Sequence, residues 1–201
     1  MSSYVHADSP YFSTAMTIPA WRQLLRGARQ REGRAAAARW VQLATVAADG
    51  HPRVRTVVFR GWAGDDQLDL YSDSRSSKAE ELSIQPNVEV CWLLPKARQQ
   101  YRFRGVIQML SVESDPKQAN QAWSSLTDGG RCLWHWPRPG RPFEADAFFP
   151  EAVAAAEPTP PHFLVLRLNL HRVELLDLNQ HPHQRTLWCL EDTWKSQRLN
   201  P

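Results

Sequence analysis

Asp49-Gly50 is a two-residue turn signal with a strand-like run on each side, and it commits this part of the chain to an antiparallel hairpin. Arg39 to Ala48 (RWVQLATVAA) leads in, and Pro52 to Trp62 (PRVRTVVFRGW) leads out. The outgoing strand carries Arg53, Arg55 and Arg60 amid Val54, Val57, Val58 and Phe59, more positive charge than a half-buried strand requires. With a two-residue side-chain period, Arg55 and Arg60 face opposite sides of a regular strand. A ligand shared by both would need a bulge between them.

The 201 residues suit one domain spanning 1–201. Fifteen prolines argue against a mainly helical chain, because proline breaks helix interiors. Pro19 opens PAWRQLLRGARQREG, where Trp21, Leu24, Leu25 and Ala28 recur at three- and four-residue steps. Arg22, Arg26 and Arg29 fall on the polar face, expected in solvent. Gln67 to Asp73 reads as a third strand, and a helix follows to about Gln85, stopped by Pro86. Val88 to Leu94 alternates as a fourth strand, ended by Pro95. Gln99 to Val112 is a long fifth strand, with Gln100, Arg102 and Arg104 on one face and Tyr101 and Phe103 on the other. Gly105 in its middle signals a bend or a close backbone approach.

Asp115-Pro116 opens a second short helix by the N-cap and first-turn proline pattern. Residues 128–161 are rich in Pro and Trp and read as a long loop, a length that is usually functional. Phe163 to Asn169, Arg172 to Leu178 and Arg185 to Leu190 return as strands. The order predicts a mainly β protein, an antiparallel β-barrel with peripheral helices and an N-terminal arm at 1–18.

A formal charge of +3 is too slight for a nucleic-acid binder and suits a small anionic ligand. Cys91, Cys132 and Cys189 lack the close spacing of zinc or redox motifs and read as buried thiols of a reducing compartment. No apolar run approaches the roughly 20 residues that span a bilayer, and the first 16 residues lack a signal-peptide layout. The expected location is the cytoplasm.

The stretch from Leu70 to Leu82 (LYSDSRSSKAEEL) carries the clearest chemistry. A strand ends in hydroxyls and restarts as a helix, with Ser77 and Glu80 spaced as a capping box. Unpaired N–H groups and the dipole at a helix start favour an anion. Arg75 and Lys78 beside it make the junction a phosphate seat. An ordinary capped surface helix with two solvated cations would read the same way in isolation.

Three segments in order resemble the pyridoxamine 5'-phosphate oxidase-like FMN-binding split barrels. They are Arg55-Thr56-Val57-Val58-Phe59-Arg60, then Tyr71-Ser72-Asp73 with Ser77-Lys78-Ala79, then Gln100-Tyr101-Arg102-Phe103-Arg104-Gly105. The resemblance implies an antiparallel split barrel that binds FMN. Thr56, Val57, Val58, Arg60 and Tyr71 would then line the cofactor. Arg55, Ser72, Ser77 and Lys78 would hold it and its phosphate, Gln100 would reach the ring, and Arg185 would contact the flavin. It also implies a homodimer whose FMN pockets are completed by both chains, and nine Trp with the Trp- and Pro-rich loop give that some separate support.

The chain departs from the oxidase pattern at three positions. His181 stands where an arginine is expected in His181-Pro182-His183-Gln184-Arg185, Leu176 falls near a flavin-stacking tryptophan, and Ser77 replaces an arginine that Arg75 would compensate. Histidine offers a charge-assisted donor only when protonated, so the resemblance leads to a related branch whose substrate is undetermined. The middle segment, Trp123 to Arg131 followed by Trp134 to Gly140, resembles that branch.

Arg60 and His183 are candidates for orienting an anionic substrate. His181 and His183 lack a carboxylate or thiol to complete a ligand set, so no metal is expected. Trp134-His135-Trp136 could stack on a flat ligand or pack the loop onto the barrel. The leading expectation is an FMN-dependent oxidoreductase. The alternatives are a non-catalytic flavin carrier or sensor, and a haem-handling barrel with an axial histidine.

Overall fold

The computed structural model describes residues 18–201. The arm expected at 1–18 therefore lies, except for Ile18, outside the described residues. Helix α1 (Ala20–Glu32) precedes strands β1 (Trp40–Val46), β2 (Pro52–Trp62) and β3 (Gln67–Asp73). Helix α2 (Ser77–Ile84), β4 (Asn87–Leu94) and β5 (Gln99–Leu110) come next. Helices α3 (Pro116–Ser124) and α4 (Asp128–Arg131) lead through a long connection to β6 (Phe163–Asp177), β7 (Gln184–Cys189) and β8 (Ser196–Leu199). Among the described residues no helix is long and apolar enough to cross a membrane.

The sheet runs β3-β2-β1-β4-β5-β6-β7-β8, and β3 also pairs with β6. That second pairing closes six antiparallel strands into a barrel. Strand β6 makes the closure possible through its length. Its first half pairs with β3 from Phe163 to Asn169, and its second half leaves the ring to pair with β7 from Arg172 to Asp177. The two strands expected from Phe163 to Leu178 are thus one continuous strand, because β5 supports it from Asp177 back to Val165. Strand β8, which carries little apolar pattern, forms by pairing with β7.

Alternation fills the barrel. Val41, Leu43, Phe59, Leu70, Trp92 and Phe103 point inward and are buried. Helix α1 plugs the barrel with Trp21, Leu25 and Ala28, while Leu24 stays exposed. Two of its arginines are not simply solvated. Arg22 lies 3.7 Å from the Trp62 ring centroid and donates to Gly64 O and Asp65 O. Arg29 covers Phe59 and Trp92 at 4.6 and 5.0 Å, so their charged ends stay near water while their stems cover apolar rings.

Gly105 sits where β5 and β6 slip register between Arg104 and Gly105. A Cβ there would stand 2.1 Å from the Asn169 carbonyl oxygen, so the close approach tolerates only glycine. A second cluster, built from Trp123, Leu126, Cys132, Trp134, Phe163 and Val165, packs the start of the long connection against the barrel. There the chain forms α4 and a 3-10 turn at Cys132–His135 rather than open loop. Arg131 holds it: buried, it donates to the Val153, Leu126 and Trp123 carbonyls and to Asp128. Of the three thiols only Cys132 is buried; Cys91 and Cys189 are half-exposed.

Candidate functional site

Strand β2 turns Val57 and Phe59 into the barrel and Thr56, Val58 and Arg60 outward. The β2–β3 register slips between Phe59 and Gly61, making Arg60 the extra residue. This bulge re-phases the strand so that Trp62, opposite Leu68, returns to the core side. It does not bring Arg55 onto the face of Arg60. Arg55 stays on the inner face, donating to Glu81 Oε2 at 2.7 Å and to Thr45 Oγ1. That contact ties β1 and β2 to α2.

Thr56, Val57, Val58 and Arg60 meet Tyr71, Ser72 and Lys78 around a cavity of about 460 Å³, within the roughly 300–1,000 Å³ range of sites for drug-sized ligands. The other wall comes from the long connection and includes Trp136, Arg138, Arg141, Phe143 and Phe149. The Arg60 guanidinium lies 5.2 Å from the Tyr71 ring centroid. Burial lowers its pKa first, with Arg39 adding to the effect and Tyr71 opposing it, yet arginine remains a cation. Trp134 is committed to structure: buried, it donates from Nε1 to the Ser72 carbonyl and packs on Trp123 and Phe163. Half-exposed Trp136 borders the cavity instead.

The start of α2 differs from the capping box expected of Ser77 and Glu80. Ser76 is the N-cap, and its hydroxyl donates to the Asp73 carbonyl rather than accepting from the first turn. Ser77 is the first helical residue and is exposed. The helix therefore has no side-chain cap. Lys78 Nζ donates to Ser72 Oγ and Ser76 Oγ, both at 3.2 Å. Among the described residues it forms no ion pair, although it is half-buried. Burial depresses its pKa first and Arg55 second, against smaller opposing effects of Asp73 and Glu81. An uncapped helix start beside a half-buried ammonium with no ion-pair partner has the donors to receive an anion. Arg75 does not join it as a free cation, because its guanidinium grips the Asp73 carboxylate at 2.7–3.1 Å.

Gln100 and Arg185 lie elsewhere, with Arg102, Glu174 and Leu176 around a cleft of about 110 Å³. Glu174 accepts from Arg185 and Arg172. Burial would raise its pKa, but these hydrogen bonds hold the carboxyl below its usual range. The register Thr56, Gln42, Cys91, Arg102, Glu174 crosses from one site to the other. Four strand steps separate them, roughly 19 Å along the sheet. His183 lines neither cavity; it is exposed in the turn before β7, with Nδ1 3.1 Å from the Gln180 carbonyl. Among the described residues the one group of three ligand-type side chains within 4.8 Å is Cys189, Glu191 and Asp192, and it includes neither His181 nor His183.

Comparison with known proteins identifies the family. The family model described as "Pyridoxamine 5'-phosphate oxidase, FMN-binding domain" matches residues 18–111, the span from α1 to the end of β5. Pyridoxine/pyridoxamine 5'-phosphate oxidase 2 of Arabidopsis thaliana is 30% identical over 196 residues, covering 92% of this chain and 98% of the relative. The chain belongs to the pyridoxamine 5'-phosphate oxidase-like FMN-binding family. The crystal structure of a pyridoxamine 5'-phosphate oxidase-related, FMN binding protein from Nostoc punctiforme is 35% identical, with a TM-score of 0.84 over 92% of this chain and 100% of that one. PhzG from Burkholderia lata shares the fold at 19% identity and a TM-score of 0.78, covering 98% and 99%.

The cofactor of this FMN-binding family is an anion with a flat aromatic head. The receptor around Lys78 fits its phosphate, and the mixed apolar and cationic cavity fits its body. The aromatic and cationic residues from Trp136 to Phe149 were the part of the cavity wall that residue patterns located least well. Their signal was a run of aromatics and arginines inside a proline-rich stretch.

Proposed function

We propose that the protein is an FMN-dependent oxidoreductase acting on a small anionic substrate. The observation that carries the cofactor assignment is Lys78, a half-buried ammonium held only by two hydroxyls beside an uncapped helix start. The phosphate is proposed to rest on Lys78, Ser72 and the first turn of α2. Thr56, Val57, Val58 and Tyr71 would bound the rest of the cofactor. FMN supplies hydride-transfer chemistry when bound, and the protein supplies position and electrostatics. Arg60, in the same cavity, would orient a substrate anion. A role for His183 would require a second chain or a movement of its turn, since it lines neither cavity.

The Arabidopsis relative's name makes pyridoxine and pyridoxamine 5'-phosphates the first substrates to try. Ser77, Leu176 and His181 favour a different one.

A homodimer is proposed in which Gln100 and Arg185 of one subunit face the Lys78 cavity of the other. Two observations support this reading: the separation of the two half-sites along the sheet, and the apolar outer face of β2, β1 and β4, where Val54, Trp40 and Leu93 are 69%, 54% and 51% exposed. The cytosol is the proposed location, supported by three cysteines without a disulfide.

Titration of the purified protein with FMN and riboflavin tests the cofactor site. Each charge-assisted contact contributes about 1.5–3 kcal/mol, so FMN should bind at least tenfold more tightly. Equal dissociation constants would sink the assignment. Anaerobic addition of NADPH, NADH or pyridoxamine phosphate tests catalysis. Bleaching of the flavin band is expected with at least one, and none from any of them would favour a flavin carrier.

A further inference from the structure

The phosphate turn is tied to a second chain segment, residues 136–142, by two reciprocal hydrogen bonds. Arg75 Nη2 donates to the Trp136 carbonyl at 3.2 Å, and Arg138 Nε donates to the Arg75 carbonyl at 3.2 Å. Arg75 is spent in this arrangement, since its guanidinium also neutralises Asp73. Arg138 is not. Its single hydrogen bond uses Nε, it forms no ion pair among the described residues, and it lines the same cavity as Lys78. The carbonyl that anchors it belongs to the residue just before Ser76, the N-cap of α2. The tether therefore holds a guanidinium, with its terminal N–H groups free, beside the uncapped helix start.

The charges on this part of the wall do not balance. Lys78 and Arg138 form no ion pair among the described residues; the carboxylates that act on Lys78, Asp73 and Glu81, are matched by Arg75 and Arg55, and Glu144 is one acid against Lys78, Arg60, Arg138 and Arg141 in the cavity lining. A phosphate monoester carries about −1.5 to −2 at neutral pH and three acceptor oxygens, which suits two such donors of different shape. We infer that Arg138 is a ligand of the FMN phosphate, supplied by the 136–142 segment and held in place by the Arg75 carbonyl. The phosphate then lies between the α2 start with Lys78 and the Arg138 guanidinium. Cofactor binding would thereby fasten the long connection to the barrel. This inference rests on the FMN assignment above.

The test is a pair of dissociation constants, for FMN and riboflavin, measured by flavin fluorescence on the full chain. Wild type, Arg138→Ala, Arg138→Lys and Arg138→Gln are compared, with thermal melts of each flavin-free protein. Arg26→Ala, an exposed arginine of α1 that does not line the cavity, controls for loss of one positive charge. Arg138→Ala and Arg138→Gln should weaken FMN tenfold or more while leaving riboflavin within twofold, and Arg138→Lys should recover part of the loss. If Arg138 only braces the segment, both flavins weaken together and the preference for FMN stays at its wild-type value. That outcome overturns the inference, as does an unchanged FMN affinity. A wild-type protein with no preference for FMN would instead remove the phosphate site itself.

Discussion

Lys78 concentrates the residue-scale argument. Its ammonium is costly to bury in the flavin-free protein, so the folded chain holds that proton less tightly than the unfolded chain does. The sign follows. The penalty is fully present below the lowered folded value and fades as pH rises towards the ordinary 10.5. An FMN phosphate seated there, as proposed, would oppose it by supplying the missing counter-charge. FMN affinity should therefore be flat near neutral pH and fall as the solution is taken alkaline, below 10.5. Lys78→Arg should flatten that alkaline fall, because guanidinium does not titrate there. A titration series over pH with both proteins checks this, and parallel curves would refute it. Lys78→Ala should cost tenfold or more in FMN affinity with little change in the apo melting temperature. The lysine and its hydroxyl neighbours were legible as a pattern. That Arg55 and Arg75 are consumed by Glu81 and Asp73 was not, since an ion pair depends on which carboxylate the fold brings near.

At the scale of elements, two contacts carry the geometry. Gly105 lets β5 and β6 cross closely at their register slip, and a methyl group there meets a backbone oxygen that cannot move aside. Gly105→Ala should destabilise the protein by about 3 kcal/mol, read from the midpoint of chemical denaturation. A shift of a few tenths would show that the strands can part. Glu81 fastens α2 to the barrel by accepting from Arg55 and Thr45. Glu81→Ala should cost about 2–4 kcal/mol, because it leaves a half-buried guanidinium and a buried hydroxyl unsatisfied. Strands β2, β3, β4 and β5 were readable from alternation, since each presents one face to the core. Strand β8 was not, because three polar residues and a leucine become a strand only when β7 offers its edge.

For the whole molecule, the separation of Lys78 from Gln100 and Arg185 decides what to measure. Light scattering with FMN bound should return twice the 23.0 kDa chain mass, and a value near one chain would refute the shared site. A mixing experiment is more specific. Lys78→Ala and Arg185→Ala should each bind FMN weakly, yet mixed dimers of the two should regain one tight site each, formed by the intact Lys78 of one chain and the intact Arg185 of the other. No recovery after verified subunit exchange would place both residues in sites within one chain.

The strands, their antiparallel hairpin and the hydroxyl-rich turn before α2 were written in local pattern: a two-residue period, an Asp-Gly turn, hydroxyls before a lysine-bearing helix. Such features depend on residues a few positions apart. The cavity wall from Trp136 to Phe149, the paired arginines and the gap between the Lys78 cavity and the Arg185 cleft depend on residues dozens of positions apart. Only closure of β3 on β6 and the packing of Trp134 beneath Ser72 bring them into place, because chain entropy leaves such distant contacts unspecified until a core is buried between them.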